Sequence, residues 1–164
     1  MKKLIAVFIV LTAFSCTKTE KTAFSETALK EKLIARDNGL IAFQDILKQY
    51  KDQTLVIDVW ASWCGDCIKA MPKMKELQVQ NPEVVYLFIS MDKSVDRWKN
   101  GIEKYNIKGD HFMAQDEMGG VFADAIDLNW IPRYIIVDKT GKIVLYRAIE
   151  TDFEQMNEIL NKLK

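Results

Sequence analysis

Cys64 and Cys67 are the side chains of this 164-residue chain best suited to covalent chemistry. Only Gly65 and Asp66 separate them. The apolar run Leu55-Val56-Ile57-Asp58-Val59-Trp60 precedes them, and a stretch with helical character follows. A C-x-x-C at a strand-to-helix junction sets the first sulfur over a helix N-terminus, where unpaired N–H groups and the helix dipole favour a thiolate. Thiolate is the form that attacks a disulfide. By position Cys64 is the nucleophile, and Cys67, one helical turn in, is the thiol that resolves a mixed disulfide. A structural disulfide or half of a zinc site are the competing readings. Zinc takes about four ligands, whereas the chain offers one histidine, His111, and no second cysteine pair, so no metal and no other cofactor is expected.

Asp58 is a carboxylate inside an otherwise apolar run. Unpaired burial is costly for a charge and raises a carboxylate pKa; at a sheet edge the same residue would simply face water. Gly65 and Asp66, between the cysteines, are expected to tune the redox chemistry. The Asp66 carboxylate favours the helix N-terminus yet repels a neighbouring thiolate. Trp63 is read as either a substrate-facing rim or a core aromatic. His111 is assigned to packing or solvent, Met71 and Met74 to core filling, and Lys104–Asp110 to a solvated surface.

These residues need a scaffold, and the pattern supplies one. Leu55–Trp60 and Val84–Ser90 read as buried strands. Cys64–Gln80 reads as a helix kinked at Pro72, and Val95–Tyr105 as an amphipathic helix. A short strand at His111–Ala114 and a helix at Met118–Ile126 follow. Arg133–Val137 and Ile143–Arg147 form a hairpin across Asp138–Lys142, and a helix ends the chain. Upstream, a short helix is expected at Ala28–Ala35, a turn at Asp37-Asn38-Gly39, and a helix over 40–50. The order predicts an α/β fold with three α/β/α layers and a mixed central sheet. An N-terminal extension and a helix–strand insertion after the second core strand complete it.

The first residues read as a targeting segment. Lys2 and Lys3 precede an apolar stretch, Leu4–Phe14, and Ser15 precedes Cys16. That is a signal peptide over 1–15, too short to span a membrane. Residues 16–35 are then a tether with the short helix, and 36–164 the main domain. Cys16 is expected to carry lipid and anchor the chain to a membrane; an ordinary signal peptide with an incidental cysteine is the alternative. Three cysteines are odd for an exported chain, and lipid on Cys16 leaves one pair. Acidic and basic residues balance at 23 each, so no basic field attracts nucleic acid.

Val56 to Cys67, Pro72, and Ile131-Pro132 before a strand resemble the thioredoxin superfamily, over roughly residues 39–164 and most closely at 57–72 and 131–141. The exported context and the insertion at about 92–115 resemble the TlpA/ResA-type thiol–disulfide reductases. The resemblance implies several roles. Asp58 would carry a proton to and from the resolving sulfur. Pro132 would be cis and, with Ile131, would present backbone to a substrate segment. The clients would be exported disulfide-containing proteins, and a membrane thiol transporter would donate electrons. Two positions depart from the common pattern. Asp66 stands where thioredoxins have proline. Arg133 stands where many have threonine, favouring acidic clients or merely sitting in solvent. Competing functions are a dithiol oxidant or isomerase, and a copper- or partner-binding lipoprotein; a peroxidase lacks its sequence pattern here.

Overall fold

The computed structural model describes residues 21–164. The signal peptide expected over residues 1–15 and the expected lipid site Cys16 lie outside them. At the centre is β3 (Leu55–Trp60), a run of β-branched and aromatic residues buried on both faces. β4 (Val85–Ser90) pairs with it in parallel, and β6 (Arg133–Val137) pairs antiparallel on the other side. Around them, β1 (Lys32–Ala35), β2 (Leu40–Ala42), β5 (Asp110–Met113) and β7 (Ile143–Ala148) complete a seven-stranded mixed sheet of order β2-β1-β5-β4-β3-β6-β7. The fold is α/β with a mixed central sheet, as the pattern predicts.

The helix that follows β3, α3 (Gly65–Gln80), buries Cys67, Ala70, Met71, Met74 and Leu77 on one stripe. Pro72 sits inside it, a position that forfeits one backbone hydrogen bond. Met71 and Met74 are core residues, as expected. The insertion after β4 is α4 (Val95–Tyr105) followed by β5. Ser94 caps α4 through the Arg97 N–H, and Asn106 closes it in a left-handed conformation. In the β6–β7 link, Asp138 Oδ1 accepts from the Thr140 and Lys142 N–H groups at 2.9 and 3.0 Å, the local bonding that makes Asp a turn residue.

The N-terminal third corrects several expectations. The helix expected over Ala28–Ala35 is only α1 (Glu26–Lys30), and the chain from Lys32 is β1. The helix expected over 40–50 begins at Phe43 as α2 (Phe43–Gln49), because Leu40–Ala42 is β2. Asp37-Asn38-Gly39 is the cause. Asn38 takes φ 70° and the Asp37 carboxylate accepts the Gly39 N–H at 2.8 Å, so the chain reverses into a hairpin and both flanks extend. A short apolar run cannot by itself distinguish strand from helix.

Nor is the stretch assigned to a tether free of the domain. Phe24 packs edge-on to Phe43 at 4.9 Å, and Ile143 N–H donates to the Thr22 carbonyl at 2.9 Å. Ala28 and Leu33 are fully buried. Met118–Ile126 is likewise shorter than expected: a 3-10 turn at Glu117–Gly119, then α5 (Val121–Ala125). The final helix, α6 (Phe153–Lys162), packs on α3. No helix among the described residues is long and apolar enough to cross a membrane.

Candidate active site

Cys64 is the N-cap of α3. Its Sγ accepts the Cys67 backbone N–H at 3.1 Å, one of the amide groups a helix start leaves unpaired. The two cysteines form a disulfide with Cα atoms 5.3 Å apart. Cys64 is the more accessible, at 5% against 1% for Cys67. Space beside Gly65 is open, since a Cβ built there meets nothing within 4 Å. Asp66, in the first turn of α3, pairs with Lys69 at 3.3 Å. Among the described residues, neither sulfur takes a hydrogen bond from a Lys, Arg or His side chain.

Opposite the disulfide stands the segment before β6. The Ile131-Pro132 peptide is cis, and the Ile131 carbonyl oxygen lies 3.6 Å from Cys64 Sγ. With both sulfurs oxidised this is a contact; a reduced Cys64 thiol would be a donor at that place. Trp63 is 51% exposed beside Cys64, which favours the rim over the core-aromatic reading. Trp60, by contrast, is fully buried.

Asp58 is 2% exposed at the centre of the sheet, paired in register with Phe88 on β4 and Tyr134 on β6. It is not an edge residue. Its Oδ1 is buried without a hydrogen-bond partner, and burial holds its pKa well above the ordinary carboxylate range. The Tyr134 phenol is also pushed up, first by burial and then by the charges of Asp58 and Glu150.

Two expectations about single residues are decided. Arg133 is neither solvated nor facing a client. It is 2% exposed, and its guanidinium donates to Asn129 Oδ1 at 2.7 Å. His111, on β5, is a packing residue. It stacks on Phe88 with ring centroids 5.3 Å apart, and its Nε2 donates to the Ile107 carbonyl at 3.2 Å. Among the described residues, no group of three or more His, Cys, Asp or Glu side chains is arranged to hold a metal.

Sequence reading missed the group that holds the active-site loop. Asp92 is 1% exposed. Its carboxylate accepts from Ser62 N–H at 2.9 Å, Ser62 Oγ at 2.7 Å and Ser90 Oγ at 2.7 Å. The loop between β3 and Cys64 is thereby tied to the end of β4. The signal was a lone carboxylate just after an apolar strand, but its partner lies 30 residues away. Gly101 of α4 belongs to the same support: a Cβ there would stand 2.6 Å from Ser62 Cβ and 3.2 Å from the Trp60 ring. Trp130, 52% exposed next to Ile131, was also overlooked.

The comparisons with known proteins agree with this geometry. Residues 52–143 match the thioredoxin-like family model. The thiol-disulfide oxidoreductase ResA of Bacillus thuringiensis subsp. konkukian is 29% identical over 119 residues, covering 71% of this chain and 67% of that protein. A solution structure of a candidate thiol-disulfide oxidoreductase from Bacteroides vulgatus superposes with a TM-score of 0.68 at 29% identity, over 83% of this chain and 87% of that one. A secreted disulfide oxidoreductase of Mycobacterium tuberculosis shares the fold, with a TM-score of 0.63 at 16% identity over 85% of this chain and all of that one. The matched family span exceeds half of the sequence, so the chain belongs to the thioredoxin-like family, and its Cys64–Cys67 pair is that of a thiol–disulfide oxidoreductase.

Proposed function

We propose that this enzyme reduces disulfides of exported proteins through a mixed disulfide on Cys64. The observation that carries the reading is the Cys64 sulfur at the start of α3, bonded to the Cys67 N–H and more accessible than Cys67, with open space beside the adjacent Gly65. In the reduced enzyme the Cys64 thiolate attacks one sulfur of a client disulfide, and the other client sulfur leaves as a thiolate and takes a proton. The ionised form of Asp58, made a stronger base by its burial, accepts the Cys67 proton. The Cys67 thiolate then attacks Cys64, the second client sulfur leaves, and the Cys64–Cys67 disulfide remains. Two electrons have passed to the client, and a dithiol donor must return them. Resemblance makes that donor a membrane thiol transporter.

The surroundings of the sulfurs favour reduction over oxidation. A strong dithiol oxidant is one whose reduced form is stabilised, and nearby cationic groups do this by holding the thiolate. Here Asp66 supplies a carboxylate in the first helical turn, and Lys69 is paired with it. Both circumstances weaken stabilisation of a Cys64 thiolate and leave the disulfide the preferred state. Gly65 and Asp66 thus tune the potential. Trp63, Ile131 and Pro132 form the surface that meets the client.

For location, the signal peptide over 1–15 and lipid on Cys16 would set the domain at the outer face of a membrane, in the periplasm or cell envelope. A secreted neighbour of the same fold is consistent with export.

Two measurements test the reading. Changing Cys67 to alanine in the cell should accumulate mixed disulfides with exported proteins on Cys64. Equilibration with a thiol buffer should place the potential nearer thioredoxin, about −270 mV, than a dithiol oxidant at about −120 mV. A value at the oxidising end reverses the direction proposed, and no trapped client removes the mechanism.

A further inference from the structure

Arg133 has no role in the chemistry above, yet it is a buried cation. A charge out of water costs several kcal/mol unless it is held by hydrogen bonds, so its partners show what the burial accomplishes. Its guanidinium donates to Asn129 Oδ1 at 2.7 Å and to the Asp127 carbonyl at 3.5 Å, while its Nε has no partner. Both acceptors belong to the segment between α5 and β6. At its other end Arg133 is fixed by sheet pairing to Val59, next to the last residue of β3.

That segment leads directly to the disulfide. Asp127 takes a left-handed φ of 51°, and Leu128 N–H donates to the Ala123 carbonyl at 2.9 Å. Asn129 and Trp130 are then exposed, and Ile131 places its carbonyl 3.6 Å from Cys64 Sγ. Trp63 and Trp130, 51% and 52% exposed, each lie one residue from that sulfur–oxygen contact. The surface that meets a client is therefore built from two chain segments. Trp63 is held through its neighbour Ser62 by Asp92. On the Trp130–Ile131 side, Arg133 contacts the Asp127 carbonyl and the Asn129 side chain. The Asp127 carboxylate is also paired with Lys21 and Arg147, so Asn129 is the member of the segment that Arg133 holds by its side chain.

We propose that the Arg133–Asn129 pair is a positioning clamp, which holds Trp130 and the Ile131 backbone in the geometry that captures an extended client segment beside Cys64. The proposal rests on the dithiol reading of the previous subsection. A backbone surface held in place before binding saves the ordering cost that a mobile one incurs. Loss of the clamp should thus weaken client capture more than the sulfur chemistry.

Asn129 gives the cleaner test, because it is exposed and its substitution changes no apolar core residue, taking from buried Arg133 only the acceptor under test. Insulin reduction by the full domain, with dithiothreitol returning the electron pair to Cys64–Cys67 after each turnover and its background rate subtracted, would be followed for the parent, Asn129→Ala and Asn129→Asp. Asn129→Ala is expected to raise KM at least fivefold with kcat within twofold of the parent. Asn129→Asp keeps an acceptor for the guanidinium and should stay within twofold in both. Arg133→Met should reproduce the KM effect of Asn129→Ala if the variant folds. The clamp is refuted by an unchanged KM in Asn129→Ala, by a loss confined to kcat, or by failure of Asn129→Asp to behave as the parent. A parent that reduces no insulin refutes the dithiol reading and the clamp together. An active parent indistinguishable from Asn129→Ala refutes the clamp alone.

Discussion

Protonation of His111 should destabilise the fold in a pH range above that of most carboxylates. The ring is 4% exposed, stacked on Phe88, with Nε2 donating to the Ile107 carbonyl. A second proton must enter at Nδ1, which is buried and has no acceptor. Burial first, then the nearby Arg36 charge, lower the pKa from 6.5 to about 4, against the opposing pull of the Ile107 carbonyl and Asp110. In the unfolded chain the imidazole binds its proton near pH 6.5; in the folded protein it waits until about pH 4. Between those values the unfolded state holds more protons, so stability falls as pH falls. The linkage amounts to about 2.5 kcal/mol by pH 4.5 and about 3 kcal/mol when complete. That is a large share of a typical folding stability of about 5–15 kcal/mol.

Asp58 acts in the opposite direction. Its folded pKa is raised well above 3.8, so the folded state keeps a proton that the unfolded state loses. Its contribution improves as pH falls toward the unfolded value. Wild-type stability alone would mix the two effects. Urea unfolding of the parent and of His111→Gln at pH 7.5, 6, 5 and 4.5 separates them, because Asp58 is common to both. The parent-minus-variant difference should shrink by about 2.5 kcal/mol from pH 7.5 to pH 4.5. A difference that stays constant to within about 0.5 kcal/mol would show that His111 is not held neutral by its surroundings.

Other outcomes follow from the same geometry. Asp58→Asn should raise the neutral-pH melting temperature, since it removes a buried carboxyl that resists ionisation, while slowing resolution of the mixed disulfide on the order of tenfold or more; single-turnover kinetics across pH 6–9 matching the parent would exclude Asp58 from proton transfer. Gly101→Ala should cost about 1–3 kcal/mol, because its Cβ would lie 2.6 Å from Ser62 Cβ; thermal melts indistinguishable from the parent would show that the α4 contact gives way freely. Asp66→Asn removes a carboxylate from the first turn of α3 and should make the couple more oxidising by on the order of 10–20 mV; a shift of the opposite sign on equilibration in a dithiothreitol buffer would contradict the electrostatic argument.

Local chemistry was enough for the centre of this molecule. Leu55–Trp60 is so apolar apart from Asp58 that a strand covered on both faces accommodates it best, and a cysteine pair just beyond falls at the start of the next helix. The burial of Asp58 followed from its neighbours for the same reason. Where two local readings had similar free energies, sequence failed. Lys32–Ala35 and Leu40–Ala42 extend because the Asp37-Asn38-Gly39 turn lets them pair, and β1 also finds β5, nearly eighty residues later.

What the sequence by itself determined is the reaction class, carried by two thiols, the strand before them and the helix after them. These are short-range constraints, set by backbone hydrogen bonding and side-chain periodicity. Tertiary structure alone decided what stands around the sulfurs: the Asp92 carboxylate on Ser62, the Gly101 approach, the Ile131 carbonyl facing Cys64, and Arg133 turned inward to Asn129. Each depends on a partner brought in by sheet order, loop path or helix packing. A charged side chain reads as solvated until the fold supplies the acceptors that can hold it.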